Sequence, residues 1–190
     1  GHEIVALANL APPAAEDSAA EDEIDSFMFQ SAGHAAVPVQ AECLGLPLVR
    51  RIIRGTAVSQ SLQYQRTAGD EVEDLFELLK EVKARFPEVQ AVCSGAVFST
   101  YQRLRVEDVC VRLGLTSLSF LWRRRQAALL QDMCDAGLTA VVVKTCCMGM
   151  TEKHLGQDLR ALLPHFQALH AKYSFHVAGE GCVRVVHTVL

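Results

Sequence analysis

The chain has 190 residues, half of them hydrophobic and about a fifth charged, which excludes the disordered and fibrous classes. Its formal net charge of −4 supplies no global attraction to nucleic acid or to an anionic membrane. The apolar runs, such as Thr139–Val143, fall far short of the roughly 20 residues of a membrane helix, and no basic segment followed by an apolar core marks a secretory signal. One soluble, cytoplasmic domain is expected. The seven cysteines form no CxxC pair and no zinc-type spacing. Cys43, Cys110 and Cys134 sit among apolar residues at helical spacing and are expected as buried thiols in a reducing compartment.

The first element, Ile4–Ala8, is an apolar run that predicts a buried strand. An acidic, alanine-rich loop follows to Glu23. Ile24, Phe27, Met28 and Ser31 recur at helical spacing, with Pro38 expected to end or kink that helix. Leu48–Ile53 predicts a second strand, ending at Gly55. The clearest helix follows Gly69: Asp70 is a good N-cap, and Glu73 stands three residues later, where a capping box wants it. Val72, Leu75, Phe76, Leu79, Val82 and Phe86 form its apolar stripe, and Pro87 closes it.

Val89–Val97 predicts a buried strand interrupted by Ser94-Gly95. Val106, Val109, Cys110 and Leu113 mark the next helix, with Gly114 as its stop. Leu118–Leu121 predicts a short strand. Leu129, Leu130 and Met133 mark a helix stopped at Gly137, and the β-branched run Thr139–Val143 a further strand. Leu159, Leu162, Phe166 and Leu169 give the last helix, with Pro164 best placed at a helix start, and Phe175–Ala178 a final strand.

Strands that read as continuous apolar runs, alternating with helices, predict an α/β fold. The expected form is a Rossmann-like parallel sheet with helices on both faces. Such sheets bind ligands at the carboxyl ends of their strands, often through a Gly-rich turn. The sequence contains no GxxxxGK[ST], GxGxxG, GxSxG or HExxH motif. Either the fold lacks a phosphate loop, or the loop precedes Gly1.

The segment Gly1–Leu10 resembles the second strand of the diphthine–ammonia ligases, members of the N-type ATP pyrophosphatase group. The resemblance continues through Asp25-Ser26-Phe27-Met28-Phe29-Gln30, Gly33-His34, Pro47-Leu48 with Arg50-Arg51, and Gly69–Leu75. It is strongest from Gly95-Ala96-Val97 through Ser99, Tyr101-Gln102-Arg103, Arg105, Glu107, Val109 and Cys110. Leu121-Trp122, Val143-Lys144, Lys172-Tyr173, His176-Val177 and Gly179-Glu180-Gly181 complete the collinear set.

The resemblance implies ATP, with Mg2+, as cosubstrate. The implied partners are ammonia and elongation factor 2 bearing diphthine, a modified histidine. Family members adenylate the diphthine carboxylate, and ammonia then displaces AMP to give diphthamide. The family's first strand and its SGGKDS loop would precede Gly1, and its acidic run after Gly181 is replaced here by Cys182–Leu190. The expected organisation is an incomplete ATP pyrophosphatase-type domain over 1–181 and a divergent tail over 182–190. Without a central strand such a chain is expected to fold poorly, since each unpaired buried backbone group costs on the order of 1–3 kcal/mol. A truncated, non-catalytic product or a nucleotide-binding module is the alternative.

The resemblance implies a nucleotide contact at Gly95 and Ala96, although Gly95 also suits a simple change of chain direction; Asn9 ends the first strand, on the edge where such sheets bind nucleotides, and equally suits a local turn. Arg103 and Arg105 suit a grip on phosphate or acidic groups, or else a solvated helix face with local ion pairs. Ser99, Gln102 and Glu107 complete a polar run expected to bind substrate, with Lys144 as a charge partner. Glu180 is expected to act on ammonia or hold a cation. No protein metal centre, membrane contact or nucleic-acid partner is expected, and homodimerisation is left open. His34 is expected as a packed histidine.

Overall fold

The computed structural model describes residues 1–13, 24, 26–145 and 149–173, together with the backbone of 183–188. The chain forms two units, Gly1–Phe120 and Leu121–Leu190. In the first, strand β1 (Leu7–Ala11) pairs in parallel with β2 (Leu48–Ile52), Asn9 lying opposite Arg50. Strand β3 (Ala91–Cys93) pairs in parallel with β4 (Thr116–Leu118). Three helices accompany them: α1 (Val37–Leu44), α2 (Glu71–Arg85) and α3 (Thr100–Leu113).

Successive strand residues point to opposite faces. Arg51 therefore reaches Glu81 of α2 at 2.9 Å, while Arg50 reaches His34, just before α1, at 2.8 Å. Helical segments thus cover both faces of the β1–β2 ladder, as the α/β reading requires. The stripe of α2 is buried as its periodicity dictates. Leu78 and Val82 pack on Leu10, Val49 and Ile53, while Val72 and Leu79 pack with Val106, Val109 and Cys110 of α3. Phe29, Leu75 and Val89 touch both clusters and join them. Each fully buried Leu or Val side chain contributes about 1.5–3 kcal/mol to this core.

The second unit contains α4 (Gln126–Asp135), β5 (Thr139–Thr145), α5 (Leu159–Tyr173) and β6 (Val183–Thr188). Leu159, Leu162, Phe166 and Leu169 of α5 pack on Leu130, Ala140 and Val142.

Several local expectations are corrected. The first strand begins at Leu7, because Leu7 N–H is the first to find a neighbour, at Pro47 O, and Ile4 is 65% exposed. Residues 26–31 are not helical, because Ser26 Oγ takes the N–H groups of Met28 and Phe29 at 3.1 and 2.8 Å. Pro38 opens α1 instead of ending a helix, as its missing N–H permits in a first turn. Asp70 caps α2 through Val72 N–H at 3.0 Å, but the Glu73 carboxylate turns to Arg112 and Tyr64 instead of closing a capping box. The third and fourth strands are only Ala91–Cys93 and Thr116–Leu118, the latter ending where Leu118–Leu121 was expected to begin. Pro164 lies inside α5.

The strands form three two-stranded ladders among the described residues instead of one sheet, and β6 runs antiparallel to β5. Cys110 and Cys134 are buried, as expected. Cys43 is exposed, on the outer side of α1. Burial pushes the Cys110 thiol up to about 11, which keeps it protonated and inert. Phe175–Ala178 and the Cys146-Cys147 pair lie outside the described residues.

Candidate active site

The parallel strands of the first unit deliver three connections at their carboxyl ends: those after β1, after β2 and after β3. The acids at the start of α2 tie two of them down. Asp70, 1% exposed, accepts Ser59 N–H at 2.8 Å. Glu71, also 1% exposed, accepts Ser26 O–H at 2.6 Å and Met28 N–H at 3.2 Å. Asp74 accepts the N–H groups of Arg54 and Gly55, both at 2.8 Å. A helix N-terminus favours such carboxylates, and here each one also fixes a different stretch of chain. Gly55 is required by close approach, since a Cβ there would stand 2.6 Å from the Asp70 carbonyl carbon.

Neighbouring acids respond oppositely to this setting. Burial pushes the Glu71 carboxyl above its usual range, against the hydrogen bonds from Ser26 and Met28. Burial also acts on Glu73, but the Arg112 guanidinium, with Tyr64 and Arg66, outweighs it and holds that carboxyl low. Arg112 reaches both Glu73 oxygens, at 2.9 and 2.7 Å. Tyr64 donates to Glu73 at 2.9 Å, and burial followed by the Glu73 bond raises its phenol well above the ordinary value.

The polar run before and within α3 separates into outer and inner members. Ser99 caps the helix through Gln102 N–H at 3.2 Å. Gln102 Nε2 donates to Phe27 O and Met28 O at 3.2 and 3.3 Å, joining α3 to the connection after β1. Arg103 and Glu107 pair across one helical turn at 2.7 Å, each about one-third exposed. Arg105 is fully buried. Its guanidinium donates to Ser59 O at 2.5 Å, Ser61 O at 2.9 Å and Tyr101 O at 3.3 Å, and lies 3.3 Å from the centroid of the Tyr101 ring. Expected to grip an anion, Arg105 instead spends its donors on backbone carbonyls. Only its Nε lacks a partner among the described residues.

Asn9 occupies the other face of the β1–β2 ladder. Its Oδ1 accepts from Arg50 Nε at 2.9 Å, and Arg50 Nη2 reaches His34 Nδ1 at 2.8 Å and His34 O at 2.9 Å. A guanidinium can only donate. His34 Nδ1 is therefore the acceptor, and the neutral ring carries its hydrogen on Nε2. That nitrogen is buried without a partner among the described residues. Among the described residues Asn9 Nδ2 and Arg50 Nη1 have no hydrogen-bond partner, and such N–H donors suit an anion or the acceptor edge of a base.

Gly95 is exposed, and a Cβ on it would meet nothing within 4 Å, so packing inside the protein does not demand glycine there. Ala96 beside it is buried. Lys144 is half-buried on β5 in the second unit, and Glu180 lies outside the described residues. Asn9, Gly95, Ala96, Ser99, Gln102, Arg103, Arg105 and Glu107 thus share the first unit. Sequence reasoning left Arg50, Glu71 and Asp74 without roles. The signal for the two acids was the surplus of carboxylates in Asp70-Glu71-Val72-Glu73-Asp74, more than one cap can use. Among the described residues no three His, Cys, Asp or Glu side chains cluster as a metal site, and no helix is long and apolar enough to cross a membrane.

Parallel strands with helices on both faces, and loops anchored at the carboxyl ends, define an α/β domain of the Rossmann-like, nucleotide-binding class. Residues 18–117 match the family described as diphthamide synthase N-terminal domain. The diphthine–ammonia ligase of Schizosaccharomyces pombe is 51% identical over 181 residues, which are 95% of this chain and 29% of that protein. The Danio rerio and human diphthine–ammonia ligases are 50% and 47% identical over 182 residues, covering 70% and 67% of their lengths. The chain belongs to the diphthine–ammonia ligase family. It spans less than a third of the yeast relative and about two-thirds of the vertebrate ones.

Proposed function

We propose that the protein carrying this chain amidates diphthine on elongation factor 2 in the cytoplasm, with ATP and ammonia as cosubstrates. The observation that carries the reading is the collinear match to diphthine–ammonia ligases over 95% of the chain. A carboxylate is a poor electrophile. Attack of one carboxylate oxygen on the α-phosphorus of ATP releases pyrophosphate and yields an acyl-adenylate. Ammonia then attacks the acyl carbon, AMP leaves with that oxygen, and a proton is released.

The nucleotide is assigned to Asn9, with Arg50 and His34 behind it, and to the Gly95-Ala96 backbone. The spare N–H donors around Asn9 and the open space at Gly95 support the assignment. Mg2+ would arrive on the triphosphate, as that ion usually does, with only one or two protein carboxylates. Ser99, Gln102, Arg103 and Glu107 are assigned to the acceptor, and Lys144 and Glu180 keep the charge-partner and ammonia roles that the resemblance implies. The test is an assay of the purified protein with ATP, ammonium and diphthine-bearing elongation factor 2. AMP and diphthamide are expected in equal amounts, and no AMP above background with the modified factor would overturn the reading.

A further inference from the structure

We propose that the connection between β2 and α2 is the docking surface for the polypeptide around the reacting residue, a neutral extended segment of the protein substrate. The identity of that substrate rests on the ligase reading above. The connection runs from Ile53 to Asp70 without a helix or a strand of its own. Connections of that length are uncommon in compact domains unless they bind something or are disordered.

This one is held firmly. Ser59 N–H donates to the fully buried Asp70 carboxylate, and Ser59 O receives both Arg105 and the Tyr101 hydroxyl, the latter at 3.2 Å. Ser61 O receives the same guanidinium. Thr56 closes the base, its N–H donating to Gly69 O at 3.0 Å and its carbonyl accepting Glu71 N–H at 2.9 Å. Burying a guanidinium is costly unless its donors are satisfied, and no carboxylate pairs with Arg105 among its hydrogen bonds. A buried charge devoted to two carbonyls of an exposed connection fixes the shape of that connection.

The fixed shape presents an open cleft of about 540 Å³, lined by Ser59, Ser61, Leu62, Gln63, Gln65 and Thr67. None of these side chains is charged. Hydroxyls and amides both donate and accept, which matches the alternating N–H and C=O groups of an extended peptide. Leu62 and Val58, 60% and 54% exposed, supply apolar contacts beside them. An uncharged lining suits neither a triphosphate nor a nucleic-acid backbone. Arg105 is thus a positioning residue, acting through Ser59 and Ser61.

The test measures binding of the chain to immobilised diphthine-bearing elongation factor 2, alongside a Leu62→Glu/Gln63→Ala double variant. Both side chains are exposed, so the thermal transition is expected to stay in place while affinity falls at least tenfold. Affinity of the unaltered chain is expected to change little with added salt. Hydrogen exchange supplies a readout without a variant: amides of residues 57–67 gain protection when the factor is added. Undiminished affinity of the double variant, or unchanged protection of 57–67, overturns the docking inference and leaves the ligase reading intact. No binding by the unaltered chain overturns both. Loss of a chain dimer in the variant, with binding to the factor unchanged, would assign the cleft to a second copy of this chain and overturn the proposal.

Discussion

Arg50 and Arg105 each bring a guanidinium into the first unit, and their surroundings differ. Arg50 lies on the strand face, half-buried, bonded to two side chains and one carbonyl, with Nη1 donating to no described residue. Arg105 lies under the β2–α2 connection, fully buried, with both terminal nitrogens committed to backbone carbonyls. Spare donors can bind something that arrives, whereas committed donors hold something already present. The proposed nucleotide site on the strand face thus has donors to offer, and the connection is a surface whose shape is set in advance.

The largest effect that could break this contrast belongs to Arg105. Arg105→Met strands the Ser61 carbonyl, leaves Ser59 O with the Tyr101 hydroxyl alone, and is expected to cost about 3 kcal/mol of stability, read from urea unfolding. A loss below about 0.5 kcal/mol would mean that the connection holds itself. Next comes Arg50→Met, expected to weaken ATP binding roughly tenfold, or about 1.4 kcal/mol, with little change in the unfolding midpoint. The reverse pattern, a large stability loss with ATP affinity intact, would make Arg50 purely structural.

The smallest effects separate two acids on one helix. The folded state raises the Glu71 pKa, so the stability associated with its protonated form is present at acid pH and is lost as pH rises through the carboxylate range. Glu73 is lowered, so its contribution is present above the ordinary carboxylate pKa and is lost as pH falls. Glu73→Gln is expected to cost about 1–2 kcal/mol at neutral pH and less in acid. Glu71→Gln should stay within about 1 kcal/mol at neutral pH and remove the decline toward higher pH. Unfolding titrations of both variants that shift with pH in the same direction would contradict the assignment.

What could be read from the sequence was what short-range physics controls. The α2 stripe, its Asp70 cap, and the Gly114 stop of α3, where φ is 65°, depend on residues within a turn or two. Residues 26–31 have helical spacing, yet Glu71, 45 positions from Ser26, draws that segment into a different shape. Pro38 was ambiguous because proline both ends helices and opens them. Arg105 looked like an anion grip because its partners, the carbonyls of Ser59 and Ser61, lie more than 40 positions away and carry no side-chain signature. Asn9 was singled out by its place at a strand end and Gly95 by resemblance, whereas the Arg50–His34 contact behind Asn9 appears only in three dimensions.

The central claim is that this domain serves acyl-adenylate chemistry on a protein carboxylate. The most direct measurement follows oxygen-18 from the diphthine carboxylate of elongation factor 2 during turnover with ATP and ammonium. The account predicts one labelled oxygen in the AMP formed and the other retained in the amide. Label-free AMP beside a labelled amide, or label in inorganic phosphate, would contradict it.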